Sequence, residues 1–332
     1  MKQQGFRYCS ACHSKLQKWG KTAADTQRWR CASCVSTQVH RRPDLSRAFL
    51  LERFVTWLLG KQSQAELRGS DRTWRRQIAW CWQVIPRSEL TGEIYPIIIL
   101  DGIRVGHLVC LIARTPEAVI AWHWVGWEAS TTWSELLSKI PAPSVVVCDG
   151  QKGILLAIAH CWPNTRVQRC IFHVWQNIRS KLTLNPQTIA GQELLQLVRG
   201  LWQVEAIEHA LIWQQALEAW TGRHAAFIKE RTYLANPVAG QRRWWYTHRG
   251  LRSASLQLLK LLKNNQLFTY LDTAIVSEPI PRTTNHVEGG INSQLRTKLK
   301  HHRGLNQLHQ QRLVDWYLHS RTQHQKPTRN GL

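Results

Sequence analysis

The chain has 332 residues, a length that suits about two domains. Its 44 lysines and arginines against 21 acidic residues give a formal net charge of +23, an excess typical of proteins that bind nucleic acid. A hydrophobic content of 43% excludes a mainly disordered basic protein, and no apolar run is long enough to span a membrane. The first residues lack the apolar segment of a secretory signal, so we expect a cytoplasmic protein associated with the nucleoid.

Residues 1–44 contain four of the nine cysteines, arranged as two pairs. Two residues separate the members of each pair, and 18 residues separate the pairs, which consist of Cys9, Cys12, Cys31 and Cys34. This spacing predicts a zinc ribbon, in which four thiolates close a tetrahedral structural site. So short a segment has too small a hydrophobic core to fold without a stabilising metal site. Free thiols or two redox pairs are the alternative interpretation.

Residues 45–90 predict a helix-turn-helix unit that binds DNA. Apolar residues recur at helical spacing from Leu45 to Leu58, a turn follows at Gly69-Ser70, and the next helix is basic. The second helix of such a unit enters the major groove. Its candidate DNA-binding residues are Arg72, Trp74, Arg75 and Arg76. A plain helical linker with arginines on its outer face is the alternative.

Residues 91–181 predict an α/β domain with a mixed sheet and helices on its faces. Short apolar runs bounded by turn residues indicate the strands, and longer periodic segments indicate the helices. The predicted strands are 94–100, 107–113, 118–125, 144–148 and 167–170, and the predicted helices are 130–139, 152–160 and 171–181.

Residues 182–279 predict an all-helical block inserted into this domain, because leucines and tryptophans recur there at helical spacing. Within it, Arg242, Arg243 and Trp244 combine basic and aromatic side chains. Such a patch can clamp phosphates and stack on an unpaired base, so we list these three residues as candidates for DNA binding.

Residues 280–325 predict a return to the α/β domain. A helix is expected to begin near Asn285 and to carry Glu288. The basic helices that follow contain Arg296 and Lys298, which are further candidates for contact with the DNA backbone.

Two aspartates share one context, since Asp101 and Asp149 each end a predicted buried strand and precede a glycine. Two carboxylates at the ends of neighbouring buried strands repel each other and are costly to desolvate. A divalent cation removes both problems, and magnesium or manganese prefers oxygen ligands of this kind. The alternative is that each Asp-Gly pair merely begins a turn.

Four motifs in order along the chain resemble the DDE transposases of prokaryotic insertion sequences, in the group related to Mutator elements. Asp101 stands in ILDG and Asp149 in VVVCDG. Cys170 and His173 match the C-x-x-H signature of that group. Residues 285–292 resemble its N-x-x-E-x-x-x-N helix, with Asn285 first and Glu288 as the acid.

The resemblance implies a ribonuclease-H-like catalytic core split by the helical insertion. It implies that Asp101, Asp149 and Glu288 are catalytic and bind two magnesium or manganese ions. Water would cleave the ends of the mobile element, its terminal inverted repeats, and the freed 3′ hydroxyl would attack target DNA. Cys170, His173 and Asn285 would support this site, and a homodimer or larger assembly would hold the two double-stranded DNA ends together.

Two other functions fit the same sequence. A non-catalytic, domesticated DNA-binding regulator would use the zinc ribbon, the helix-turn-helix and the basic tail, and would tolerate replacement of all three acids. A ribonuclease-H-like nuclease that acts on hybrids or junctions would keep the acids, but the long insertion and the terminal DNA-binding modules argue against it.

Overall fold

The computed structural model describes residues 8–9, 12, 14–23, 25–39, 47–62, 71–235, 243–284 and 290–322. The chain divides into two compact units, the first formed by residues 1–84 with 326–332 and the second by residues 85–325. None of the described helices is both long and apolar enough to cross a membrane.

In the first unit, three strands form an antiparallel sheet with the second strand in the middle. They are β1 (Leu16–Lys21), β2 (Gln27–Cys31) and β3 (Thr37–Val39). The apolar core beneath this sheet is small, comprising Cys9, Leu16 and Cys31 with Trp29 packed against them. So little buried apolar surface cannot stabilise the segment by itself.

Two helices complete the first unit, α1 (Arg47–Leu59) and α2 (Asp71–Ile78), and a short 3₁₀ helix, Ala79–Gln83, follows them. Phe54 and Trp57 of α1 pack edge-on against Trp82, and Trp57 packs in the same way against Trp74 of α2. Both helices were predicted, but the turn at Gly69-Ser70 lies outside the described residues. The helix-turn-helix geometry therefore stays a prediction.

The second unit is built on a five-stranded mixed sheet in the order β6-β5-β4-β7-β8. Its strands are β4 (Ile97–Val105), β5 (Leu108–Arg114), β6 (Val119–Val125), β7 (Val145–Cys148) and β8 (Arg166–Arg169). The first three strands form an antiparallel meander, whereas β7 and β8 run parallel to β4. The mixed sheet predicted from the sequence is confirmed.

The two faces of this sheet bury alternate residues, as the period-2 geometry of strands requires. One face packs Ile98, Leu100 and Val146 against α3 (Ser130–Leu137) and α4 (Lys152–Cys161). The opposite face places Ile99 and Val147 against Ile280 and its neighbours. This double burial explains why the sequence of both strands is apolar without alternation.

Four further helices share a second hydrophobic core. In the sequence they follow β8 and precede the two C-terminal helices. They are α5 (Ile171–Leu182), α6 (Ile189–Gly200), α7 (Ile207–Arg223) and α8 (Arg249–Lys263). The insertion is not all-helical, however, because β9 (Arg231–Tyr233) and β10 (Trp244–Tyr246) form an antiparallel pair. Strands of three residues are too short to leave a periodic signal in the sequence.

The last two helices, α9 (Ile291–His301) and α10 (Gln307–His319), return to the sheet. The buried Asp315 of α10 accepts hydrogen bonds from the indoles of Trp122 and Trp124 on β6 at 2.9 and 2.7 Å, and Arg312 donates to its other oxygen at 2.9 Å. This aspartate anchors α10 to the edge of the sheet. The predicted helix start near Asn285 lies outside the described residues, and α9 begins at Ile291.

Candidate active site

Asp101 lies on β4, and Asp149 follows directly after the end of the neighbouring parallel strand β7. The register of β4 and β7 pairs Ile97 with Val145 and Ile99 with Val147, and continuing it by two residues sets Asp101 beside Asp149. The prediction that the first strand ends at Asp101 was wrong, because β4 continues to Val105 along its antiparallel partner β5. Asp101 is thus held within β4 by its pairing with Ile112 of β5, on the side away from β7.

The Asp101 carboxylate is fixed by two donors. The backbone N–H of Gly102 donates to Oδ1 at 2.9 Å, and the Asn292 side-chain amide donates to Oδ2 at 2.7 Å. Burial raises the pKa of the Asp101 carboxyl to about 6, and the negative charge of Asp149 adds to the rise. A carboxylate that is costly to keep charged is one that gains most from a bound cation.

Asp149 is oriented by the turn that follows it. Its Oδ1 accepts a hydrogen bond from the backbone N–H of Gln151 at 3.0 Å, while Arg169 donates to its backbone oxygen at 2.8 and 3.2 Å. Gly150 has a φ of +71°, and a Cβ at this position would overlap the Arg169 guanidinium. The Asp-Gly pair is therefore a turn and also part of the site, because only glycine permits this conformation and this contact.

One cleft brings the two aspartates together with groups from three other elements. Its lining includes Glu128 from the β6–α3 connection, Arg169 from β8, and His173 and Asn177 from α5. Burial and the negative charge of Asp149 raise the pKa of the Glu128 carboxyl. The sequence interpretation missed Glu128, and its only sequence signal was an acid between a strand and a helix in an acid-poor chain.

Cys170 and His173, the C-x-x-H pair, lie together at the start of α5. The Cys170 thiol is fully buried, and burial disfavours its charged form, but the adjacent imidazole outweighs this and lowers the pKa of Cys170. The same neighbour, Cys170, raises the pKa of His173 against the effect of burial. The pair therefore favours positive charge on the imidazole, which faces the cleft of Asp101 and Asp149.

Cys170 also anchors the chain just before the segment that carries Glu288. The backbone N–H and the hydroxyl of Thr284 lie 3.3 and 3.6 Å from the Cys170 sulfur, which accepts from both. The buried Arg114 guanidinium donates to the Thr284 carbonyl at 2.7 Å. Asn285 and Glu288 themselves lie outside the described residues, so their places in the site stay predictions.

A second, basic groove adjoins Asp101. It is lined on one side by Phe172 and Gln176 of α5 and on the other by Arg296 and Lys300, which are exposed one helical turn apart on α9. Lys298 of the same helix lies 5.9 Å from the Tyr317 ring and is only partly exposed. The predicted Arg296 therefore faces the groove, and Lys300 is a basic residue that the prediction omitted.

In the first unit, the sulfur atoms of Cys9, Cys12, Cys31 and Cys34 all lie within 4.8 Å of one another. The closest pairs are Cys12 with Cys31 at 3.4 Å and Cys9 with Cys34 at 3.5 Å. Four thiolates around one zinc ion lie about 3.8 Å apart, given Zn–S bonds of about 2.3 Å. The four cysteines could hold a zinc ion.

The other predicted DNA-binding residues differ in exposure. Arg72, Arg75 and Arg76 are exposed on α2, whereas Trp74 is only 5% exposed and packs between Trp57 and the Arg53 guanidinium. Trp74 thus forms part of the core of the first unit, and its ring is not available to DNA. Sequence alone could not separate it from its neighbours because Trp74 stands directly beside Arg75 and Arg76 in a short basic helix.

In the second unit, Trp244 on β10 stacks under the Arg231 guanidinium at 4.1 Å and packs edge-on against Tyr246. Arg243 is exposed beside it, and Arg242 lies outside the described residues. Basic and aromatic side chains therefore meet on the pair of strands β9 and β10. The guanidinium that stacks on Trp244 belongs to Arg231 of β9.

Comparison with known proteins adds an independent observation. Residues 115–233 match the family model described as "Transposase, Mutator family", a range that includes Glu128, Asp149, Cys170 and His173. A probable transposase for an insertion sequence element of Corynebacterium diphtheriae is 27% identical over 212 residues, which are 56% of this chain and 61% of that protein. A transposase for an insertion sequence element of Lactococcus lactis is 30% identical over 141 residues, 37% of this chain and 34% of that protein.

The chain therefore spans between about a third and three fifths of the length of these two curated relatives. The chain is similar to the transposases of prokaryotic insertion sequences, and the predicted resemblance to the Mutator-related group of these proteins is confirmed.

Proposed function

We propose that this relative of the Mutator-family transposases is itself a DNA transposase, which cuts the ends of an insertion sequence and joins them to target DNA. The observation that carries the proposal is the juxtaposition of Asp101 on β4 with Asp149 just after the parallel strand β7, in a cleft next to a basic groove. The strand order and directions of the sheet support a ribonuclease-H-like core. Glu288, from the segment after Thr284, would supply the third acid.

The residues present fit a divalent cation. The donors are carboxylate oxygens, and Asp101 and Asp149 have no ion pair with a basic side chain in the part of the chain that the structure describes. Two bound magnesium or manganese ions would activate the attacking oxygen and stabilise the leaving one. Asn292 and the N–H of Gly102 hold the Asp101 carboxylate in place, and the Asp149 turn does the same for its partner.

The basic groove would position DNA at these carboxylates. Arg296 and Lys300 lie on the face of α9 that lines the groove, where their positive charges would attract DNA phosphates. The chemistry is hydrolysis of one phosphodiester followed by transesterification with the freed 3′ hydroxyl. Neither step requires a covalent bond between protein and DNA, and the site needs no serine or tyrosine nucleophile.

The first unit would recognise the DNA ends. Its four cysteines support a structural zinc, because their core is too small to fold the segment alone. Arg72, Arg75 and Arg76 on the exposed side of α2 support a DNA-reading helix. An assembly of two or more copies on paired DNA ends, acting in the nucleoid, stays a prediction.

The test is strand cleavage of DNA carrying the ends of the insertion sequence that encodes this chain, with magnesium or manganese. Asp149→Asn should abolish cleavage and leave binding to the same DNA intact. Asp272→Asn is the matched control, because Asp272 is exposed and lines neither cleft of Asp101. A wild-type protein that binds these ends but never cuts them would instead be the non-catalytic regulator.

A further inference from the structure

The basic groove beside Asp101 contains two aromatic side chains that the proposed function leaves unused. They are Phe172 at the start of α5 and Trp202, which lies in the short 3₁₀ helix Leu201–Gln203 between α6 and α7. Both line the same groove as the basic residues of α9. Their role is inferred here on the premise that the chain acts on DNA, as proposed above.

Trp202 is exposed although its neighbours in the chain are not. Leu201 is fully buried and Val204 is 2% exposed, whereas Trp202 is 38% exposed. Trp213 and Trp220 of the same helical block are buried, and their indole N–H groups donate to backbone carbonyls of α6. Tryptophan buries a large apolar surface when it finds a partner, so an indole left in a groove is suited to an external one.

The ring of Phe172 is held by neighbours on its own helix. It lies 6.2 Å from the Trp175 ring with 31° between the planes, and the Arg179 guanidinium lies 4.5 Å from the Trp175 ring. These three residues are three and four positions apart, so they share one face of α5. Phe172 also packs edge-on against His173. A ring that is fixed before binding loses little conformational entropy when a ligand stacks on it.

The charge of the groove favours a chain of phosphates. Arg296 and Lys300 are exposed in it, and no acidic residue that the structure describes forms an ion pair with either. Asp101 is the only acid among the described residues that line the groove. Positive side chains beside aromatic rings are typical of surfaces that bind single-stranded nucleic acid, because every base offers a flat face for stacking.

The size of the groove distinguishes one strand from two. It encloses about 740 Å³, a volume in the range of sites for small molecules. This is room for a few nucleotides, and a double helix can only lie across the opening. In a double helix, moreover, the bases stack on one another, so their faces are hidden from Phe172 and Trp202. The groove therefore suits a strand that has separated from its partner.

We infer that the groove holds an unpaired strand of DNA. The bases of this strand stack on Phe172 and Trp202, and its phosphates contact Arg296 and Lys300. Because Asp101 also lines the groove, the unpaired strand is placed at a candidate catalytic carboxylate. The DNA end therefore has to open locally before it is cut, and stacking on the two rings offsets part of the cost of unpairing.

Photocrosslinking to the full-length protein locates the strand. The probe is a single-stranded oligothymidylate about ten nucleotides long, in which 5-iodouracil replaces one thymine. After irradiation, mass spectrometry of the digested protein should find the crosslink on a peptide that contains Phe172 or Trp202. A crosslink confined to peptides of α2 or of the β9–β10 pair would place the unpaired strand elsewhere and overturn the inference.

Substitution of Trp202 tests the stacking. Trp202→Leu keeps an apolar side chain but removes the flat ring, so it should weaken binding of oligothymidylate about tenfold and leave the affinity for duplex DNA unchanged. Trp202→Tyr retains a ring and should restore most of the affinity. Trp245→Leu is the matched control, because Trp245 is also 38% exposed but lines neither the groove nor the cleft of Asp101 and Asp149. If Trp202→Leu does not fold, Phe172→Leu makes the same test with the other ring.

The outcomes distinguish this inference from the proposed function. If Trp202→Leu binds oligothymidylate as tightly as the wild type, or loses affinity for duplex DNA by the same factor, the groove is not a site for an unpaired strand. Cleavage of the DNA ends by the wild type would still support the proposed function. If single-stranded DNA crosslinks to Phe172 or Trp202 but the protein never cuts these ends, the groove binds an unpaired strand and the proposed function fails.

Discussion

The Asn292 side chain donates a hydrogen bond of 2.7 Å to Asp101 Oδ2, joining α9 to the middle of β4 across 191 positions of sequence. Asn292 follows directly after the start of α9, and α10 behind it is fixed to β6 through Asp315. The orientation of the carboxylate thus depends on how the C-terminal helices dock on the sheet.

Replacement of Asn292 by alanine should slow DNA cleavage about tenfold, which corresponds to the roughly 1.4 kcal/mol contributed by a hydrogen bond to a charged group. Because this bond favours the charged carboxylate, the pH at which cleavage reaches half its maximum should also rise. Cleavage rates across a pH series test both effects. Asn185→Ala, at an exposed asparagine between α5 and α6 that lines neither cleft of Asp101, should match the wild type. A variant at Asn292 with unchanged rate and pH profile would show that the hydrogen bond has no part in the reaction.

The raised pKa of Asp101 makes a prediction about stability. Its native pKa of about 6 lies above the ordinary value of 3.8, so the folded protein binds this proton more tightly than the unfolded chain does. The resulting stabilisation is present at low pH and is lost as the pH rises through about 6, by at most about 3 kcal/mol. Asp101→Asn cannot lose a proton and should escape this loss.

Urea unfolding at about pH 5 and about pH 7.5 without divalent cations measures the difference. The stability of Asp101→Asn relative to the wild type should be greater at the higher pH. Manganese should then restore stability to the wild type and not to the variant. A stability difference that is independent of pH would contradict the burial of a proton-binding Asp101.

Much of this fold could be predicted because its signals are local. The buried strands β4 and β7 are short apolar runs, and the cysteine spacing indicated the cluster of the first unit. The contacts that complete the site are not local. Nothing near Glu128 in the sequence shows that it lines the cleft of Asp101 and Asp149, and the contact between Asn292 and Asp101 depends on the docking of α9.

The two wrong predictions, for the end of β4 and for the exposure of Trp74, also arise from tertiary contacts that the local sequence does not show. Strand β4 extends beyond Asp101 because its antiparallel partner β5 continues to pair with it, a tertiary effect without a signature in the strand itself. Trp74 reads as part of a basic helix face, but the neighbouring Trp57 and Trp82 provide a core that buries it. Sequence periodicity does not say which neighbour a helix will meet.

Arg114 should stabilise the chain before the Glu288 segment. The Arg114 residue is 7% exposed, and its guanidinium donates to the carbonyls of Thr115 and Thr284. Arg114→Met keeps the aliphatic volume but leaves the Thr284 carbonyl without its donor, a loss of about 1–3 kcal/mol. We expect lower stability in urea and a larger drop in cleavage than in DNA binding.

Arg166→Met is the control for this variant, because Arg166 is exposed on β8 and lies outside the cleft of Asp101 and Asp149. Its stability and cleavage rate should stay within error of the wild type. Equal effects of the two substitutions would mean that the link from Arg114 to Thr284 does not matter for the site.

Removal of zinc should unfold the cysteine-rich segment of the first unit. We expect about one zinc ion for each chain, measured by atomic emission, and Cys31→Ser should lose it. The small core around Leu16 cannot compensate, so the cysteine-rich segment should become sensitive to protease while residues 85–325 keep their cooperative melting transition. Cys161→Ser, in α4, should retain the metal. Full zinc content in the Cys31 variant would contradict the four-thiolate site.

The basic face of α9 should set the salt dependence of DNA binding. Arg296 and Lys300 are exposed and line the groove beside Asp101, so a double alanine variant should reduce the slope of log affinity against log salt by about 2. Lys298→Ala should change the slope less, because Lys298 lies near the Tyr317 ring. Lys263→Ala, at the end of α8, is the control. If the double variant keeps the wild-type slope while Lys263→Ala lowers it, DNA does not follow the groove past Asp101, and the path of the substrate must lie along the other face of the unit.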